Sequence, residues 1–236
     1  MEFLSYLING VSLGSIYAII ALGYTMVYGI AKMLNFAHGD VIMVGAYVCF
    51  FAMNGLSAQF AEGSLAAAVV PALAGTVLAM VVCTVLGVVI ERLAYKPLRQ
   101  AGSLAVLITA IGVSYFLQNA AQLLWSSSPK MFTPVLSRDL QLSLPGGLSV
   151  SALTILTVVV CIVIMVGLTL FTGRTKMGKA MRACSEDKAA AQLMGIDVNR
   201  TISMTFAIGS ALAAIAGVLL CSYSPEIGRA SCRERV

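Results

Sequence analysis

Residues 65–90 read LAAAVVPALAGTVLAMVVCTVLGVVI, a run of apolar and small side chains without a single Asp, Glu, Lys or Arg. A bilayer core about 30 Å thick is crossed by roughly 20 such residues in a helix. Backbone groups in lipid must bond internally, so a helix is expected. A barrel would need short alternating strands, and this run is continuous. Five more runs share its character, near 4–29, 41–60, 103–124, 150–172 and 201–223. The one at 41–60 is the weakest, since Asn54 and Gly55 interrupt its end. The expected fold is therefore all-α: a polytopic integral membrane protein with about six transmembrane helices.

Composition points the same way. Of 236 residues, 59% are hydrophobic and only 11% charged, and mean hydropathy is +0.94. Soluble domains carry about 25% charged residues. Met1-Glu2 supplies no basic flank for a secretory signal, so the first run is read as a retained span. The six cysteines have no CxxC spacing, and Cys49, Cys83, Cys161 and Cys221 lie in apolar runs, where a thiol acts as a small hydrophobe. Neither a metal site nor a disulfide framework nor a cofactor is expected. The net charge of +5 comes from basic residues gathered at the ends of apolar runs. That is a topology signal, not a nucleic-acid surface.

Two connecting segments are basic: one holds Arg92, Lys96 and Arg99, the other Arg174, Lys176, Lys179, Arg182, Lys188 and Arg200. Two spans separate them, so both lie on one side, which the positive-inside rule makes cytoplasmic. Lys32 falls on the same side and Met1 outside. The 125–149 segment is then external, and its prolines and Gly146-Gly147 mark a turn-rich loop with room for a short hairpin. Gly10-x-x-x-Gly14 in the first span and Gly209, Ala213 and Gly217 in the sixth read as helix-packing faces.

Asn35-Phe36-Ala37-His38-Gly39-Asp40 joins a polar cluster, the only histidine and a glycine between the first two spans. Two readings stand. One is a discontinuous helix whose freed backbone lines a cavity. The other is an N-cap at a loop, with Asp40 at the positive end of the next helix. Ser12, Ser15, Tyr17, Tyr24, Thr25 and Tyr28 give the first span further polar groups, while no charged residue sits in the middle of any span. Ion-driven transporters usually place such charges inside the membrane.

The loop 173–200 holds a second candidate. Met177 to Met194 is strongly helix-forming, and Gly195 is placed to end that helix. Met181, Ala190, Leu193 and Met194 are expected to form one apolar stripe, covered by a partner or laid on the membrane. Residues 173–180 nearly match a phosphate loop, but Ala180 stands where a hydroxyl must hold Mg²⁺, and no strand precedes it.

Three stretches carry a resemblance: Leu34-Asn35-Phe36-Ala37-His38-Gly39-Asp40, Glu91-Arg92-Leu93-Ala94-Tyr95-Lys96-Pro97-Leu98-Arg99, and Met181 to Asp187 running on to Met194-Gly195-Ile196-Asp197. Through residue 225 or so the chain resembles the permease subunit of bacterial branched-chain amino-acid importers driven by ATP-binding-cassette subunits. Such permeases carry a motif EAA-x-x-x-G on a coupling helix that docks on the ATPase. Ala189-Ala190-Ala191 and Gly195 occupy its positions, with Ala189 in place of Glu and the acids Glu186 and Asp187 just before it.

The resemblance implies a multi-pass inner-membrane protein with a periplasmic N-terminus, and not an enzyme. Its partners would be a homologous permease, two cytoplasmic ATPase subunits that hydrolyse ATP, and a periplasmic amino-acid-binding protein. Glu186, Asp187, Ala189, Ala190, Leu193 and Gly195 would couple to the ATPase, and Asn35, His38, Gly39 and Asp40 would lie beside the translocation pathway. The expected cargo is leucine, isoleucine or valine. Rival readings are an ion-coupled transporter or channel, a permease for another solute such as urea or amides, and a membrane scaffold. Residues 226–236 carry three arginines on the outer side, against the charge rule, where family members continue with apolar spans. They are expected to be a foreign or out-of-frame tail on a permease domain of residues 1–225.

Overall fold

In a computed structural model the described residues are 2–57, 65–99, 101–126, 130–131, 141–144, 148–224 and 226–227. Each apolar run forms a helix: α1 (Glu2–Ala31), α2 (His38–Ser57), α3 (Leu65–Ile90), α4 (Ser103–Trp125), α5 (Ala152–Arg174) and α8 (Val198–Tyr223). All six are long and apolar enough to cross a membrane. Several hydroxyls inside them bond back to their own helix, as Thr25 Oγ1 does to Ala21 O at 2.7 Å and Thr205 Oγ1 to Thr201 O at 2.8 Å. A spanning helix can therefore carry Ser and Thr without exposing a polar group to lipid. Asn54 and Gly55 do not interrupt α2, which runs on to Ser57.

α8 and α2 form the centre. In their spanning windows 72% and 61% of residues are buried, against 22–33% for the other four helices. Small residues allow this closeness. A Cβ added to Gly45 of α2 would lie 2.9 Å from Ala214 Cα of α8, and Gly217 sits against the Ile42 carbonyl. Gly209, Ala213 and Gly217 are thus the packing face the spacing indicates. Gly10 and Gly14 are exposed instead, with nothing among the described residues near the Cβ position of either. The i, i+4 spacing shows that a face is smooth, and not whether this chain supplies the surface that meets it.

The apolar surface is turned outward on the flanking helices, where Leu73, Val85, Phe116, Leu123 and Val163 are all exposed. Hydrocarbon is the solvent in which such a surface is stable. Basic residues gather at one end of the bundle. Lys188 there reaches the end of α1, and Arg99 reaches Asn199 at the start of α8. The other end carries Tyr47 stacked on Trp125 at 4.8 Å, with Lys130 Nζ 5.7 Å from the centre of the Phe51 ring. Short strands decorate that end: β1 (Lys130–Met131) pairs with β4 (Glu226–Ile227), and β2 (Gln141–Leu144) with β3 (Leu148–Ser151) as an antiparallel hairpin. Of the expected tail, residues 228–236 lie outside the described residues.

Candidate functional site

The chain leaves α1 through a local break. Lys32 adopts φ 56°, a left-handed conformation that ends a helix, and its N–H still reaches Tyr28 O at 2.8 Å. Residues 32–35 then run without regular structure before the turn that opens α2 at His38. The break alternates outward and inward: Lys32, Leu34 and Phe36 are exposed, while Asn35, Ala37 and His38 are buried. Asn35, His38 and Asp40 are each at most 8% exposed. Buried polar groups need partners. Tyr95 donates its hydroxyl to Asn35 Oδ1 at 2.9 Å, and the His38 N–H bonds Asn35 O at 3.2 Å. The Tyr24 ring meets the His38 ring edge-on at 6.0 Å. The His38 imidazole fits against Gly23, where an added Cβ would stand 3.1 Å from its Cε1.

Beside the break lies a cavity of about 770 Å³. Asn35, His38, Gly39 and Asp40 all line it, with Tyr17, Tyr24 and Thr25 from α1 and Ser114, Tyr115 and Gln118 from α4. Ile20, Ala21, Met43 and Ile111 supply apolar wall. Of the other polar residues in the first span, Ser15 is bonded within α1 and Tyr28 faces a different groove. Asp40 sits in the first turn of α2, where the helix dipole favours a carboxylate. An apolar hollow with a few convergent polar groups suits a small solute with a polar head and an aliphatic body.

The loop 173–200 is two helices, α6 (Lys176–Glu186) and α7 (Lys188–Leu193), and not one. Asp187 makes the break. Its extended backbone (φ −145°, ψ 115°) stops α6, while its carboxylate caps α7 by accepting from Ala189 N at 2.8 Å and Ala190 N at 3.2 Å. Helix propensity alone misses this, because aspartate competes for the backbone as a cap. The kink also divides the expected stripe. Met181 is buried with Cys184, Ile30 and Ala191, whereas Ala190 is exposed and Leu193 and Met194 are 89% and 83% exposed. Glu186, Asp187, Ala189 and Gly195 are exposed too. Gly195 does end the helix, at φ 81°.

Beside that buried cluster, further contacts tie this loop to the bundle. Thr175 caps α6 through Gly178 N at 3.0 Å, and Gly178 is pressed against the backbone of Phe171 and Thr172. Lys188 Nζ donates to Ala31 O at 2.7 Å, immediately before the α1–α2 break. Burial, then the neighbouring Arg99 charge, holds the Lys188 ammonium below its usual pKa.

Sequence reading missed a buried ionic cluster. α3 continues past Ile90 as a π-helical turn, Glu91–Tyr95, which draws Glu91 inside to 0% exposure. Arg99 pairs with Glu91 Oε1 and donates to Asn199, and Ser203 donates to Glu91 Oε2 at 2.5 Å. Tyr95, on the same turn, is the donor to Asn35 and packs on Phe206. The one signal in sequence was Glu91 bordering an apolar run. Its partners become visible only when α3 and α8 pack.

Comparison with known proteins adds to this geometry. Residues 6–229 match the family described as "Branched-chain amino acid transport system / permease component". The chain is 45% identical over 221 residues to the high-affinity branched-chain amino acid transport system permease protein BraD of Pseudomonas aeruginosa, covering 93% of this chain and 71% of that one. Its identity to LivH of Escherichia coli K12, a permease protein described in the same words, is 43% over 235 residues, covering 97% and 75%. A probable branched-chain amino acid transport permease of Methanocaldococcus jannaschii is 29% identical over 203 residues, covering 86% and 61%. No solved structure matches. A helical membrane bundle with a buried break beside a cavity, matched along nearly its whole length, belongs to the branched-chain amino-acid transport permease family.

Proposed function

We propose that this chain forms one half of the transmembrane pathway of an ATP-driven importer for leucine, isoleucine and valine. The cavity beside the α1–α2 break carries the reading. Its apolar wall suits an aliphatic side chain, and Asn35, Asp40, Tyr24 and Gln118 offer partners to a zwitterionic head. A homologous permease supplies the facing half. Two ATPases engage α7 at the basic end, and a binding protein delivers cargo at the other. Clustered Lys and Arg support a cytoplasmic α6–α7 end and a periplasmic N-terminus. Relatives described as branched-chain amino acid permeases support the cargo.

Uptake of labelled leucine and labelled urea, in a strain carrying the complete set of subunits, tests the reading. Leucine uptake that depends on this chain and falls at least tenfold in Asp40→Asn is expected, a loss of about 1.4 kcal/mol or more. Urea uptake without leucine uptake would contradict it.

A further inference from the structure

A second groove, of about 490 Å³, lies at the end of the bundle that carries α6 and α7. The last turn of α1, the turn before α4 and the first turns of α4 form its walls. Three cations line it: Lys32, Arg99 and Lys188. No acidic side chain among the described residues lines it. Glu91 is paired with Arg99, but through Nη2, and Arg99 Nε is buried without a hydrogen-bond partner. Lys188 gives one bond to Ala31 O, which leaves further ammonium hydrogens. Lys32 is exposed. The three cations share one groove, and among the described residues only Arg99 is paired with a carboxylate, so an anion among them relieves repulsion.

The rest of the wall is apolar. Tyr28, Leu34 and Leu104 line the groove and are 50%, 37% and 69% exposed. The ends of two helices long and apolar enough to span, α1 and α4, form the principal walls, so in a bilayer the groove would lie near the headgroups. Inorganic phosphate would meet the cations but leave Leu34 and Leu104 uncovered, whereas a phospholipid satisfies both. We infer that this groove holds the phosphate-bearing headgroup of an anionic phospholipid, with its acyl chains against Leu34 and Leu104. The bound lipid would bridge the end of α1, the start of α4 and the first residue of α7. Basic pockets between helix ends bind anionic headgroups in this way. Burial first, and then the Arg99 and Lys32 charges, push the Lys188 pKa down.

The test uses the full chain purified from nanodiscs of equimolar phosphatidylglycerol and phosphatidylcholine, with co-retained lipid counted by native mass spectrometry. Preferential retention of phosphatidylglycerol is expected. Lys32→Gln should lower that retention about fivefold, one surface cation's share, and Lys32→Arg should keep it. Lys32 is exposed, so neither variant burdens folding; Lys188→Gln provides an independent second loss. Retention in Lys32→Gln and Lys188→Gln equal to that of the unaltered chain would overturn the site. Displacement of phosphatidylglycerol by excess inorganic phosphate would assign the groove to the free anion and overturn the lipid.

Discussion

The Tyr95–Asn35 bond joins the α1–α2 break to the π-helical turn that follows α3. Asn35 is buried, and its amide oxygen takes the Tyr95 hydroxyl at 2.9 Å. Tyr95 is itself fixed by full burial and by the Phe206 ring. Tyr95→Phe removes only the hydroxyl and leaves a buried acceptor unpaired, at a cost of about 1–3 kcal/mol. A fall of several degrees in the detergent melting temperature is expected, together with reduced leucine uptake. An unchanged melting temperature would show that the bond holds nothing. At this scale part of the site was legible. Asn35 to Asp40 stand out because polar groups and a lone histidine are conspicuous in an apolar chain. Glu91 was not legible as a buried ion. Its acceptors' partners lie 8 and 112 residues away, so their meeting is a product of the fold.

Among the elements, α7 is the one proposed to meet the ATPase. It is a six-residue helix, too short to persist without caps and contacts. Asp187 supplies the cap, so Asp187→Ala should cost about 1 kcal/mol locally. Amide exchange across 188–193 should then quicken about fivefold, with the spanning helices unaffected. Leu193 makes a different prediction. It is 89% exposed, so Leu193→Asp leaves this chain's packing intact. On the proposed coupling role, the variant should fold and insert normally but lose ATPase co-purification and transport. Retention of both would place the ATPase contact elsewhere. Spans were legible from apolar runs to within a few residues at most ends. The break at Asp187 was not, because propensity summed over 177–194 outweighs one aspartate until cap geometry is considered.

Across the whole molecule, packing depends on close backbone approach at α8. Lipid gives helices no hydrophobic reason to associate, so contact area between smooth faces must do it. Gly45→Ala places a methyl 2.9 Å from Ala214 Cα, a backbone atom that cannot swing aside. Overpacking of this kind costs about 1–3 kcal/mol. The variant should melt lower and insert less efficiently, while Gly39→Ala, with open space at its Cβ position, should match the unaltered chain. Equal melting of the Gly45 and Gly39 variants would contradict the packing account. The sequence shows which helix faces are smooth, but Gly10 and Gly14 look as smooth as Gly209 and Gly217 and meet nothing among the described residues.

The central claim is that the cavity beside the α1–α2 break is the route of the solute. Gly39 lines that cavity and has room for a side chain, so Gly39→Cys reports on it without disturbing the bundle. Cys49, Cys83, Cys161, Cys184 and Cys221 are buried and give little background; Cys232→Ser removes the remaining thiol. The measurement is labelling of Gly39→Cys by a membrane-impermeant thiol reagent, in the assembled importer, with and without ATP and leucine. Labelling that appears during turnover and is slowed by leucine is the result predicted. A cysteine that stays unlabelled in every state, while transport continues, would contradict the account.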